Sequence, residues 1–384
     1  MKNVDRMAEW LETRWVKPAY AGGILLAIAI CFFGAATNTM AGWLYVISGV
    51  MLAIVGLSAI LPARSLKSLR VNRRPIQPVS VGDELTIELD IENPVDKSQN
   101  LLQIQDDLPF VLGKPVHTPI ETIPPKSIHH WIYYQPAQKR GVYRWMTVQL
   151  KTAAPLGLFW CRRDRQVPAT AFVYPTVLPL INCPLIDEIG QDTSPQFLSI
   201  DRRSQAATEG VTRTLRPYRV GDPTRLIHWR TSARLGQFQV RELETFTGGQ
   251  EVIICLDSAS VWNPEDFEQA VIAAASLYFY ASGRQLNVKL WTALTGLVQG
   301  HRVVLETLAA TYAGEDAIAV SPPNLPLIWL TQNPVTLTAL PPASRWVLWM
   351  PSSTEPATPV NRNSPGIIIN TEQPLQVQLQ SPLR

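Results

Sequence analysis

The chain has 384 residues, of which 46% are hydrophobic and 17% charged; that length implies more than one domain, and so apolar a composition excludes a disordered chain. A formal net charge of +3 is too small for a dedicated nucleic-acid binder, which carries a basic stripe on a clearly basic domain. Its four cysteines, Cys31, Cys161, Cys183 and Cys255, lack metal-ligand spacing and read as reduced, buried thiols.

Residues 1–70 read as a membrane anchor. Met7, Trp10, Leu11 and Trp15 recur at helical spacing, which suits a short helix lying among the headgroups with tryptophans as anchors. Ala19 to Ala36 and Ala41 to Leu61 are uncharged, each close to the roughly 20 residues that cross a bilayer as a helix. Only Thr37, Asn38, Thr39 and Met40 separate them, so the two form an antiparallel hairpin whose ends share one side of the membrane. Lys2, Arg6, Arg14 and Lys17 precede the pair and Arg64, Lys67, Arg70, Arg73 and Arg74 follow it, while the connecting loop has no cation. The positive-inside rule then puts the N-terminus and everything after Leu61 in the cytoplasm at the cell membrane. Read as a signal peptide instead, the first segment would still leave the second as an anchor; Cys31 does not fit a lipoprotein signal, because Ile30 stands where a small residue is wanted. Gly22, Gly23, Gly34, Gly42, Gly49 and Gly56 would let the helices approach closely.

Residues 71–180 change to a period of two. Leu85, Ile87, Leu89 and Ile91 alternate with polar residues, Leu102 and Ile104 continue the pattern, and Val142, Met146, Val148 and Leu150 share a face. Asn93-Pro94 and Pro124-Pro125 punctuate the runs, and a small antiparallel β-sandwich is the expected fold. Residues 181–249 begin irregularly, from Cys183 to Ser204, and then concentrate arginine: Arg213, Arg216, Arg219, Arg225, Arg230, Arg234 and Arg241, with Asp222, His228 and Trp229 among them. Guanidinium groups in such numbers answer to carboxylates, phosphates or carbonyls. The acidic partner is either internal, from Glu209, Asp222, Glu242 or Glu244, or external, so the cluster reads equally as a structural latch and as a binding surface. Gly221-Asp222-Pro223 favours a tight turn, His228 a packed or hydrogen-bonded role, and Trp229 a core anchor.

In residues 250–350 strands alternate with helices: EVIICLD, a helix from Pro264 to Ser282, NVKLWTAL, HRVVLETLAATYA, PLIWLTQ and RWVLWMP. Such alternation implies βαβ units and a parallel sheet covered on both faces. In the Pro/Ser/Thr-rich tail, residues 351–384, Gly366 to Asn370 could supply one more strand, and Leu375, Val377 and Leu379 another edge. No internal repeat, P-loop, dinucleotide fingerprint or zinc spacing occurs, and no cofactor is expected.

The stretch from Gly210 to Glu244 resembles the signature of the bacterial "domain of unknown function 58" family, on Gly210, Arg216, Gly221, Asp222, Arg225, Ile227, Trp229, Arg230, Ser232, Ala233 and Arg234. The upstream phrase from Ala154 to Arg163 is similar to a Pro-x-Gly-Leu-Phe step of that family, and taken together with the layout of apolar hairpin, β-sandwich and strand–helix domain the resemblance covers most of the chain. It implies a membrane-anchored, non-catalytic protein-interaction adaptor, working with a MoxR-type AAA+ ATPase or the cell-envelope machinery around it. Asp257, at a strand end before a Ser/Ala run, is similar to the first metal ligand of the von Willebrand factor type A fold, but Ala259 and Val261 replace two serine ligands and Gln332 stands near where an aspartate is wanted. A hard cation needs those oxygens; the resemblance therefore implies a degenerate position with no bound metal, and Asp257 is free to pair with one of the arginines. Two other readings stand beside the adaptor. One is an enzyme that grips an anionic substrate with Arg216, Arg225, Arg230 and Arg234 and uses Asp222 or His228 as acid or base; the other is a nucleic-acid binder using the same arginines.

Overall fold

In a computed structural model the structure describes residues 16–189, 206–218, 226–244, 251–319, 321–350, 364–370 and 373–383. Met7, Trp10, Leu11, Trp15 and the proposed headgroup helix lie outside them, as do Arg219, Gly221, Asp222 and Arg225. Two long apolar helices are followed by an antiparallel β region and then by a mixed, mostly parallel sheet with helices. The chain forms two compact units, residues 1–174 and 175–384.

The first unit opens with α1 (Tyr20–Thr39) and α2 (Gly42–Ser68), both long and apolar enough to cross a membrane. Met40, in a left-handed conformation, ends α1 and makes the tight return. The contact between the helices is not built on glycine. A Cβ at Gly23, Gly34, Gly42, Gly49 or Gly56 would meet open space, whereas Ala29, Ala36, Ser48 and Val55 are buried and Ser48 Oγ donates to the Ala29 carbonyl at 3.0 Å. Hydrogen bonding and small side chains other than glycine serve the close approach. Cys31 lies on the exposed surface of α1, unlike the buried Cys161, Cys183 and Cys255. Past the expected end at Leu61, α2 runs on through Pro62 to Ser68, because Leu66 and Leu69 are fully covered by the β core. Arg165 holds that end, its Nη2 donating to the Leu66 carbonyl at 2.7 Å, as a cation at a helix C-terminus should.

Two sheets enclose that core. One runs β1 (Lys17–Pro18), β9 (Phe159–Tyr174), β8 (Gly141–Thr152), β5 (Gln99–Asp106), β6 (Val116–Ile123), with β3 (Val79–Ser80) also on β9; the other runs β2 (Arg70–Arg73), β4 (Glu84–Asn93), β7 (Ser127–Pro136). All pairs are antiparallel except β3 with β9. Leu85, Ile87, Leu89 and Ile91 face Leu102, Ile104, Val148 and Leu150 in one cluster, as the alternation predicts. Val142 and Met146 depart from their expected face, since Tyr143 and Trp145 take the core side before the bulge. The β8/β9 register slips by a residue between Trp145 and Thr147, so Trp145 is buried and Met146 exposed; a bulge exchanges the two sides of a strand. Trp145 also closes a buried polar knot. Arg73 Nη1 and Nη2 reach the two Asp106 oxygens at 2.5 and 3.0 Å, and Tyr133 Oη and Trp145 Nε1 donate to the same carboxylate at 2.6 and 3.0 Å.

The second unit is built on the sheet β14 (Gly296–Val298), β13 (Asn287–Thr292), β12 (Glu251–Leu256), β15 (Leu327–Thr331), β16 (Arg345–Trp349), β17 (Gly366–Ile369), parallel except for β14. One face carries Val252, Ile254, Leu256, Leu290, Leu330 and Val347 against α5 (Pro264–Gly283) and α6 (His301–Ala310). Asn263 caps α5, its side chain accepting from Glu265 N at 3.0 Å. The irregular segment contributes more than its sequence promises, since α3 (Pro184–Asp187) and its neighbours bring Cys183, Leu185, Ile186 and Ile189 into this core.

The expected α-helical cover on both faces is found on one face only among the described residues. The hairpin β13–β14 returns the chain to the starting edge of the sheet, so α6 climbs the same face as α5. Gly314 N and Glu315 N then anchor on the Ser258 carbonyl at 2.8 and 3.0 Å, and Ala319 packs on the opposite face with Ile253, Trp291 and Leu327. A 3-10 helix, Pro334–Ala339, covers the rest of that face through Leu337. The tail supplies β17 as expected, but Leu375, Val377 and Leu379 form no strand. They lie in α7 (Leu375–Leu379), where Leu379 is buried and Val377 exposed; leucines four apart share a helical face.

Candidate functional site

The arginine-rich segment folds around a two-stranded antiparallel ribbon, β10 (Ala206–Pro217) with β11 (Gln239–Glu244), in which Arg216 stands opposite Val240 and Leu215 opposite Arg241. Between the strands lies α4 (Trp229–Leu235), ended by Gly236 at φ +69°. His228 caps it, Nδ1 accepting from Thr231 N at 3.2 Å while its own backbone N donates to the Gln239 carbonyl at 2.8 Å. One imidazole nitrogen is thereby engaged in structure.

Ser232 is the latch of this segment. Its buried hydroxyl donates to the His228 carbonyl at 3.0 Å and accepts from Gln239 N at 2.9 Å, binding helix to ribbon. Trp229 is the opposite of the core anchor expected of it. It is 63% exposed and meets the edge of Phe238, itself 53% exposed, at 5.9 Å and 87°. Tyr218 joins from the end of β10, 6.2 Å from Phe238, held by its backbone N on the Phe238 carbonyl at 2.9 Å. Arg230, Ala233 and Arg234 are exposed on the same helix. The signature therefore divides into a buried tie at Ser232 and Ile227, an exposed aromatic cluster of Trp229 and Phe238, and exposed arginines on the same helix. The sequence reading missed Tyr218 and Phe238; the available signal was aromatic residues flanking the arginines at both ends of the loop.

The second constellation lies at the carboxyl edge of the parallel sheet, where β12 has β13 on one side and β15 on the other. The strand order reverses direction at this point, the place in an open parallel sheet where loops at the carboxyl ends of the strands carry ligand sites in many folds. Asp257 follows β12 there, buried, and its Oδ2 accepts from Ser260 Oγ and from Thr331 Oγ1, each at 2.7 Å. Thus Asp257 is bound to hydroxyls and to no arginine among the described residues. Trp262 Nε1 holds the Asp257 carbonyl at 2.6 Å, and Gln332 bridges Asn263 N and Asp266 Oδ2 at 2.7 and 2.8 Å. Burial raises the Asp266 carboxyl above its ordinary range, the hydrogen bond from Gln332 opposing that shift and the Glu265 charge adding to it. Nearby Glu315 is buried, one carboxylate oxygen accepting from Tyr312 N at 3.2 Å. This donor set does not fit a hard dication: Ala259 and Val261 are exposed and offer no side-chain oxygen, and the one strand-end carboxylate already takes two hydroxyl donors.

Residues 214–295 match the family described as "Protein of unknown function DUF58". The DUF58 match takes in α4, β11, β12, α5 and β13, and so includes both the aromatic face and Asp257. It begins after Gly210 and leaves out the upstream phrase from Ala154 to Arg163. None of the curated proteins matches the chain. Among solved structures, the CARDB domain of a Pyrococcus furiosus protein is similar at 12% identity over 27% of this chain and 94% of that domain, with a TM-score of 0.19. A Listeria innocua β-glucosidase in complex with glucose is similar at 14% identity over 26% of this chain and 16% of that one, with a TM-score of 0.16. Scores so low bear on neither fold nor activity.

Proposed function

We propose that this chain is a membrane-anchored, non-catalytic adaptor whose second unit is a type A-like domain presenting the Trp229 face to a protein partner. The observation that carries this reading is the exposure of Trp229 and Phe238, with Tyr218 packed on Phe238 and with Arg230 and Arg234 exposed on the helix that bears Trp229. Aromatic rings and arginines on one small surface have the composition of interface hot spots. Against them stands the engagement of His228 Nδ1 and of Asp257 Oδ2 in structural hydrogen bonds, which favours binding over acid or base chemistry. A strand order with the first strand central, and a strand-end Asp257 tied to Thr331, support the type A-like reading. The cations flanking α1 and α2 support a cytoplasmic orientation in the cell membrane, and the family resemblance makes a MoxR-type AAA+ ATPase the partner to look for.

The test is crosslinking and recovery of the full-length protein from its native membranes, with and without ATP, comparing wild type with Trp229→Ala and with Arg230→Glu. Recovery of an AAA+ ATPase with wild type, lost at least tenfold in both variants, is the expected result. Equal recovery with folded variants would move the interface away from α4.

A further inference from the structure

We propose that the turn between β8 and β9, residues 153–158, is a second membrane attachment, its apolar tip seated at the boundary between headgroups and acyl chains of the bilayer that α1 and α2 span. This rests on reading those helices as membrane-spanning. From Thr152 to Cys161 the chain carries no charge, while Lys151 precedes the stretch and Arg162 follows it. Its depth is set by α1. Ala19 N donates to the Leu158 carbonyl at 2.9 Å, and a Cβ on Gly22 would lie 2.1 Å from that same oxygen, so the turn sits against the first turn of α1. The 20 residues of α1 extend about 30 Å at the usual helical rise, close to the hydrocarbon thickness of about 30 Å. With no residues to spare, Gly22 must lie about 3 Å inside one end of the span, and the turn packed on it reaches the membrane surface.

The side chains there suit that position. Leu156 is 53% exposed at the tip, and Leu101, 62% exposed, sits on the same edge because Thr152 Oγ1 donates to its carbonyl at 2.9 Å. Tyr20 and Trp160 are exposed beside them; Lys17 lies opposite Trp160 in register and Lys151 Nζ stands 5.1 Å over the Trp160 ring. Exposed leucines rimmed by aromatic rings and lysines form an interfacial anchor, with the lysines suited to anionic headgroups. The surface is continuous with the spanning helix, which commits it to lipid.

The experiment places a nitroxide at Leu156→Cys, Val50→Cys or Phe110→Cys, each with Cys31→Ala, in full-length protein in phosphatidylcholine–phosphatidylglycerol nanodiscs. Val50 lies inside α2, and Phe110 lies beyond the far end of β5, whose pairing with β8 runs from Leu102 opposite Thr152 to Asp106 opposite Val148. Collisions with oxygen and with a water-soluble nickel chelate are compared. The expected oxygen-to-nickel ratio at position 156 is several-fold above that at 110 and below that at 50. A value equal to that at 110, with 50 still in lipid, overturns the attachment and leaves the hairpin intact; protection of 156 from both reagents overturns it in favour of a protein cover. Water exposure at 50 overturns the hairpin and the attachment together.

Discussion

Asp106 and Ser232 show two ways in which one buried polar atom can decide the fate of its surroundings. Asp106 is fully buried and answered by Arg73, Tyr133 and Trp145. Burial and the adjoining carboxylate together push the Tyr133 phenol above its ordinary range, so it remains a donor at any physiological pH. Asp106→Ala would strand the Arg73 charge in the core, and the expected loss is about 3–5 kcal/mol, read as a fall in the thermal midpoint of the full-length protein. Ser232→Ala orphans Gln239 N and should cost about 1–3 kcal/mol, whereas Trp229→Ala, at an exposed ring, should stay within about 0.5 kcal/mol. Comparable unfolding for the two variants would contradict the division of this segment into tie and surface. The arginines advertised the segment, but nothing in their spacing distinguished the serine that fastens it from the tryptophan that stands outside it.

At the scale of elements, close approach rather than propensity sets several boundaries. Gly366 opens β17 beside Trp346, and a Cβ there would lie 2.2 Å from the indole. Gly366→Ala should therefore detach β17, exposing Ile367 and Ile369 to hydrogen exchange while β12 and β13 stay protected. Gly22→Ala meets a backbone carbonyl and should loosen the 153–158 turn, while Gly23→Ala, facing open space, should be silent in the same exchange measurement. Periodicity located β4, β5 and β8 of the antiparallel region and, further on, α5, α6, β12, β13 and β15 to β17, but it left β6, β7 and β9 unmarked. It failed where another part of the chain sets the geometry, at the β8/β9 register slip, at the short β14 hairpin and at the extension of α2 into the β core.

For the whole molecule, the four thiols offer a test of how the chain is divided between water, core and lipid. Burial pushes the Cys183 thiol up to about 12 and that of Cys255 higher still, which keeps both protonated at pH 8 and suppresses the reactive thiolate. Cys161 is buried as well, and Cys31 lies midway along α1. In nanodiscs none of the four should react with a charged thiol reagent, and unfolding should release the three buried ones. Ready labelling of native Cys31 would put α1 in water. The sequence by itself determined the spanning length of the two helices, the alternating sandwich strands and the strand–helix succession after Gln250, because each is written in local periodicity and apolar run length. Only tertiary structure decided which face of the parallel sheet receives α6, that Asp257 answers to Ser260 and Thr331, and that Trp229 stands open while Ser232 is closed in. Those outcomes depend on contacts between residues distant in the chain, and a single sequence carries no local signal for a partner 74 residues away.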